Sequence, residues 1–88
     1  MVDYYYSLDE KLEDKEYRSV FSSIWKCNNR WDFEKLAEDI VEEYENNDDY
    51  IISNNVEVYI WDDMDNYIGQ FTVAIDTKRV YYGIKVGE

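Results

Sequence analysis

The chain contains no histidine and no proline, a single cysteine and only three glycines among its 88 residues. Without histidine it lacks the commonest general base and the commonest metal ligand, so the sequence predicts neither an enzyme nor a metal or cofactor site. Cys27 has no histidine to activate it and is predicted to be structural rather than nucleophilic. Because no Pro/Gly-rich linker divides the chain, we expect one domain over residues 1–88.

Long apolar runs are also lacking. No segment has the length or the composition of a signal peptide or a membrane span. A lone cysteine cannot form an internal disulfide, which is compatible with a reducing compartment. The sequence therefore predicts a cytoplasmic protein.

Positive charge is scarce, since nine Lys and Arg face 21 Asp and Glu, giving a formal net charge of −12. Such a charge repels phosphates and anionic membranes, and it favours a basic protein partner whose binding weakens with salt. The alternative is that the acids only aid solubility. High net charge can also signal disorder, but the 18% aromatic content favours a folded domain.

The stretch from Asp32 to Asn46 has the apolar spacing of an amphipathic helix. Asp32 is predicted as its N-cap, Trp31 as a hydrophobic staple on Leu36, and Asn46 with Asn47 as its end. The apolar face consists of Phe33, Leu36, Ala37, Ile40, Val41 and Tyr44.

After the helix the apolar period changes from 3.6 to 2, which predicts an antiparallel three-stranded meander over Val56–Val86. Its turns are expected at Asp62–Asn66 and Asp76–Arg79, and Tyr50–Ile52 is a possible lead-in strand. The residues predicted to face the helix are Val56, Val58, Ile60, Phe71, Val73, Ile75, Val80, Tyr82 and Ile84. The fold class is therefore α+β, one main helix packed on a three- to four-stranded antiparallel sheet.

The first 27 residues are less clear. Val2–Ser7 has the composition of a strand. Residues 8–16 fit either a short helical turn or a loop, and Tyr17–Cys27 fits both a strand and a helix. The spacing of Tyr17, Val20, Phe21 and Ile24 favours the helix, from about Glu13 to Trp25.

The face of the sheet away from the helix is expected to be rich in aromatic side chains. If it is open to solvent, it resembles an interaction surface. Alternatively, Tyr4–Tyr6 or the Tyr17–Trp25 segment packs on it. Its predicted members are Tyr59, Trp61, Thr72 and Tyr81, with Glu57, Gln70 and Lys85.

The acids themselves are the candidate partner-binding residues. Acids four apart on a helix lie about 6 Å apart along its axis, a spacing comparable with that of nucleic-acid phosphates. The turn at Asp62–Asn66 does not match a calcium-binding loop, since Ile68 stands where that loop needs glycine. The candidates are Glu34, Glu38, Asp39, Glu42, Glu43, Glu45, Asp48 and Asp49, followed by Asp62, Asp63 and Asp65.

In size, acidity and lack of catalytic residues, the chain resembles the small inhibitors made by phages and mobile elements, the anti-CRISPR and anti-restriction DNA-mimic class. The resemblance implies a protein that blocks the nucleic-acid-binding site of a host defence complex, for example a CRISPR effector, in the cytoplasm of a host bacterium. The alternative function is a small non-catalytic module that binds a protein, or itself, through an exposed aromatic sheet face.

Overall fold

The computed structural model describes residues 1–46, 55–75 and 81–87, and the side chains of Tyr81 and Tyr82 are not among what it describes. The chain folds as α+β, with one α-helix packed on an antiparallel sheet. The helix is α1 (Arg30–Asn46), and a short 3-10 helix spans Lys15–Tyr17. The strands are β1 (Val2–Leu8), β2 (Ser19–Ser23), β3 (Asn55–Trp61), β4 (Tyr67–Ile75) and β5 (Tyr81–Lys85).

The sheet has the strand order β2-β1-β3-β4-β5, with every neighbouring pair antiparallel. The meander β3-β4-β5 and the strand β1 confirm the sequence prediction, as does the turn between Trp61 and Tyr67. The predicted turn at Asp76–Arg79 and the lead-in at Tyr50–Ile52 lie outside the described residues. Within the described ranges the sheet has five strands rather than three or four, because β2 extends it beyond β1.

The predicted helix over Glu13–Trp25 is wrong, and the strand interpretation of this segment is correct. Ser19–Ser23 pairs with β1, so that Phe21 lies opposite Tyr4 and packs against the core. The other members of the supposed helical face, Tyr17, Val20 and Ile24, are exposed. Backbone pairing with β1 therefore outweighs the helical period, and of its four members only Phe21 packs against the core.

The core lies between α1 and the inner face of the sheet. Burial of the apolar side chains of α1 confirms the predicted amphipathic face at four positions, and Phe33 packs at the rim of the core, where its ring stacks on that of Phe71. The buried core residues are Tyr4, Cys27, Leu36, Ala37, Ile40, Val41, Val56, Val58, Ile60, Phe71, Val73 and Ile75.

The N-terminus of α1 differs from the prediction. The helix begins at Arg30, and its N-cap is Asn29, whose side chain accepts a 2.9 Å hydrogen bond from the backbone N–H of Asp32. Asp32 instead lies in the first turn and accepts a hydrogen bond from the N–H of Asn28. Trp31 is therefore inside the helix rather than before it, and it is 77% exposed instead of packing on Leu36.

The face of β5 that meets the helix is also the opposite of the one predicted. Ile84 pairs with Thr72 on the outer face and is 63% exposed, whereas Gly83 pairs with Val73 beneath α1. Lys85, predicted on the outer face, pairs with Phe71 on the inner one. A one-residue change of register moves every side chain of a strand to the other face. Val80 lies outside the described residues.

Candidate functional site

The acidic side chains of α1 divide into two groups by what they contact. Glu34 and Glu38 point at the edge strand β5, where Glu34 Oε2 accepts a 2.9 Å hydrogen bond from the N–H of Lys85 and Glu38 Oε2 accepts a 2.7 Å one from the N–H of Gly83. Both side chains are mostly buried. Their position follows from Gly83, since any side chain there would hold the helix away from the strand.

The second group lies further along α1 and faces solvent. Glu42 and Glu43 are exposed, and Asp39 and Glu45 are half-buried. Burial raises the pKa of Asp39, which the ammonium of Lys35 opposes and the carboxylates of Glu42 and Glu38 reinforce. The predicted acids Asp48 and Asp49 lie outside the described residues.

The acids of the β3–β4 turn differ from one another in what they contact. The carboxylate of Asp62 accepts hydrogen bonds from the N–H groups of Met64 and Asn66, at 2.9 and 2.8 Å, which closes the turn. Burial alone would raise the pKa of Asp62, but these bonds and one from the Asn66 side chain outweigh it and lower the pKa. Asp65 forms an ion pair with Arg18, and Asp63 is exposed.

The outer face of the sheet is partly covered, by a segment that shares only Tyr17 and Arg18 with the predicted Tyr17–Trp25 alternative. Residues 9–18, the connector between β1 and β2, fold back over it and place three cations on aromatic rings. Trp61, expected on an open face, is only 2% exposed. The pairs are Arg18 with Trp61 at 3.7 Å, Lys11 with Tyr67 at 4.0 Å and Lys15 with Tyr5 at 4.9 Å from the ring centroids.

Arg18 is the most buried of these cations and makes several polar contacts. Its side chain is 2% exposed, and its guanidinium donates hydrogen bonds to the carbonyls of Leu12 and Glu13 besides pairing with Asp65. This arrangement has no signal in the sequence, since an arginine in a charged connector is usually solvated. As a result, cations of the connector are held against the protein's own rings while acids of α1 face solvent.

Sequence reasoning also missed an apolar feature beside the acids. Trp31, expected to pack inward, and Ile84, expected in the core, line an open groove of about 660 Å³ between α1 and β5. Lys35 and the stems of Glu34 and Glu38 complete its lining. Exposed tryptophan next to charged side chains is typical of protein-binding surfaces.

Cys27 is buried where the loop before α1 meets the core. Its backbone N–H donates a 2.9 Å hydrogen bond to the hydroxyl of Tyr4, and burial raises the pKa of its thiol. A protonated, enclosed thiol is a poor nucleophile. Over residues 1–46, 55–75 and 81–87, no group of three or more Cys, Asp and Glu side chains is arranged to hold a metal ion.

The described part of the chain contains no helix with the length and apolar character needed to cross a membrane. Comparison of the chain with protein-family models, with curated proteins and with solved structures finds no match in any of the three.

Proposed function

We propose that the chain is a non-catalytic inhibitor that binds a basic, nucleic-acid-binding complex of host defence in the bacterial cytoplasm and occupies the site meant for DNA or RNA. A CRISPR effector is one such target. The observation that carries the proposal is the separation of charge: Glu42 and Glu43 project from α1 into solvent, while Arg18 is buried under the connector on the other face of the sheet. Arg30 and Lys35 lie in the first two turns of α1, so the segment from Asp39 to Glu45 contains acids and no basic residue.

Within this proposal the contact residues are fewer than the sequence predicted. Glu34, Glu38, Asp62 and Asp65 already have partners inside the fold, so they support the surface rather than supply its free charge. Glu42 and Glu43 make the electrostatic contact, because Asp39 is half-buried and lies 3.9 Å from the ammonium of Lys35. Trp31, about three turns toward the N-terminus of the same helix, supplies an apolar anchor of the kind that dominates binding energy at interfaces.

The test is capture of a partner from a bacterial lysate by the immobilised protein, at low and then at high salt, with mass spectrometry of the retained proteins. The double variant E42K/E43K is compared with E10K/E16K, which reverses two exposed acids of the connector instead. Each variant changes the net charge by the same four units, from −12 to −8. Lys at the C-terminal end of a helix is favoured by the helix dipole, so E42K/E43K keeps its fold.

We expect wild type and E10K/E16K to retain the same nucleic-acid-binding complex, released by salt and competed by DNA or RNA. E42K/E43K should retain at least about tenfold less, because a contact between close opposite charges is replaced by repulsion. Equal retention by the two variants, or a retained partner that neither salt nor nucleic acid displaces, would contradict the proposal.

A further inference from the structure

The two edge strands of the sheet differ in whether their outward backbone groups have partners. At the β5 edge, the outward N–H groups of Gly83 and Lys85 are bonded to the carboxylates of Glu38 and Glu34, so α1 closes that edge. At the opposite edge, β2 pairs with β1 on one side, and none of the described residues forms a strand or helix along its other side. An unpaired edge strand is a template for pairing with another strand.

The β2 edge also lacks the usual protection. Proteins commonly guard an edge strand with lysine, proline or a bulge. Ser19–Ser23 contains no charged residue, the chain has no proline, and the β1–β2 register is regular. Apolar side chains in the strand and just after it are open to solvent, since Val20, Ile24 and Trp25 are 55%, 76% and 48% exposed.

The charge distribution identifies the occupant. Tyr17–Trp31 is the longest stretch of the chain without Asp or Glu, and besides the buried Arg18 it carries Lys26 and Arg30. A basic partner would be drawn to the acids of α1 instead of this edge. A second copy of the chain can bring its own acid-free edge strand to the same place, where the nearby carboxylate of Asp3 is already bonded to the hydroxyl of Ser22. Most other contacts between two copies would set acids against acids.

We propose that two copies of the chain pair antiparallel through β2 and form a continuous ten-stranded sheet. A two-fold axis makes such a contact self-complementary, and in the register centred on Phe21 it sets Ser19 opposite Ser23 of the second copy. A five-residue ladder is about 17 Å long. The interface is consequently small, and the dimer forms reversibly with concentration.

Salt affects this dimer in the direction opposite to partner binding. Each copy carries a charge of −12, and this long-range repulsion is screened as the Debye length falls from about 14 Å at 0.05 M to about 5 Å at 0.4 M salt. Dimerisation through the acid-free edge therefore strengthens with salt, whereas the proposed binding of a basic partner weakens. The two proposals can thus fail independently.

The experiment is sedimentation equilibrium of the whole chain over a range of concentrations at low and high salt. The test variant is Val20→Lys and the matched control is Ile84→Lys, which adds the same charge to the closed edge strand; circular dichroism checks that both fold. We expect wild type and Ile84→Lys to dimerise more tightly at high salt, and Val20→Lys to associate at least tenfold more weakly. A wild type that stays monomeric, a dimer that weakens with salt, or a dimer that Val20→Lys leaves intact would each overturn the proposal.

Discussion

The carboxylate of Glu38 accepts a hydrogen bond of 2.7 Å from the backbone N–H of Gly83, so a helix side chain closes the edge of the sheet. Glu34 repeats the contact one turn earlier, on the N–H of Lys85. Together they satisfy two donors that would otherwise be open to water or to another strand. These two acids are part of the fold, although by sequence they look like the exposed acids that follow them.

We expect Glu38→Ala to lower the free energy of unfolding by about 1–2 kcal/mol, because it removes a charged acceptor from a half-buried N–H group. Glu38→Gln retains an acceptor oxygen and should lose less. Urea denaturation followed by circular dichroism measures both. Glu42→Ala, one turn along the same helix and exposed, serves as the control and should stay within about 0.5 kcal/mol of wild type. Equal losses for Glu38→Ala and Glu42→Ala would show that the edge contact contributes nothing.

Gly83 is required by the close approach of the helix backbone. A Cβ atom at this position would lie 2.5 Å from the carbonyl oxygen of Glu34 and 3.2 Å from Cγ of Glu38. Gly83→Ala should therefore destabilise the protein by about 1–3 kcal/mol, because α1 must move to relieve the overlap. In a strand without such a contact the same substitution stabilises the protein by about 0.5–1 kcal/mol. The sign of the change in unfolding free energy therefore shows whether the helix backbone approaches Gly83 this closely. Thermal or urea unfolding measures it, with the exposed neighbour Ile84 replaced by Ala as the control.

The geometry of Arg18 predicts that lysine cannot replace it. Lysine keeps the charge but not the planar fork that stacks on Trp61 and reaches the carbonyls of Leu12 and Glu13. We expect Arg18→Lys to lower the free energy of unfolding by about 1–3 kcal/mol and to loosen the connector over Trp61.

Tryptophan fluorescence can report that loosening directly. Trp25 and Trp31 are exposed and Trp61 is buried, so replacing the first two with Phe leaves a single reporter under the connector. In that background Arg18→Lys should increase the quenching of Trp61 by acrylamide. Lys15→Ala, which removes the more distant contact with Tyr5, should leave the quenching unchanged. If Arg18→Lys leaves Trp61 as protected as before, Arg18 does not hold the connector down.

The parts of the fold that the sequence predicts are those with a long, regular apolar period. The face of α1 and the alternation in β3 and β4 extend over many residues, so a single misplaced residue does not change the interpretation. Ser19–Ser23 is short, and the sequence around it fits both the period of a strand and that of a helix. Only the pairing with Val2–Tyr6 decides its structure, and that contact is not visible in the local pattern.

In β5 the apolar pattern predicts that the wrong face of the strand meets the helix. The face that includes Ile84 carries more apolar residues than the face that includes Gly83. The glycine was the available signal, since an isolated glycine in a strand often marks the close approach of another backbone. The candidate acids show a similar limit. Composition gives their number, but only the three-dimensional structure separates Glu38, which bonds to a strand, from Glu42, which faces solvent.

Two aspartates should change stability with pH in opposite directions. The folded-state pKa of Asp39 is raised above its ordinary value of 3.8, chiefly by burial. Its ionisation therefore destabilises the fold at neutral pH, and the penalty disappears as the pH falls from the raised pKa to below 3.8. The pKa of Asp62 is lowered, because hydrogen bonds from Asn66 and Met64 outweigh the effect of burial. Its ionised form stabilises the fold above pH 3.8, and this contribution is lost as the pH falls through the lowered pKa.

We therefore expect Asp39→Asn to be more stable than wild type at about pH 7, with a difference that vanishes on acidification to below the ordinary aspartate pKa. Asp62→Asn should be less stable at about pH 7, and its difference should vanish only at a still lower pH, because the folded pKa of Asp62 lies below the unfolded one. Urea midpoints measured from neutral to acid pH test both variants in one series. Differences of the same sign, or differences that do not change with pH, would show that these carboxylates do not lie as they do in the structure, where Asp39 is half-buried near Glu38 and Glu42 and Asp62 is bonded inside its turn.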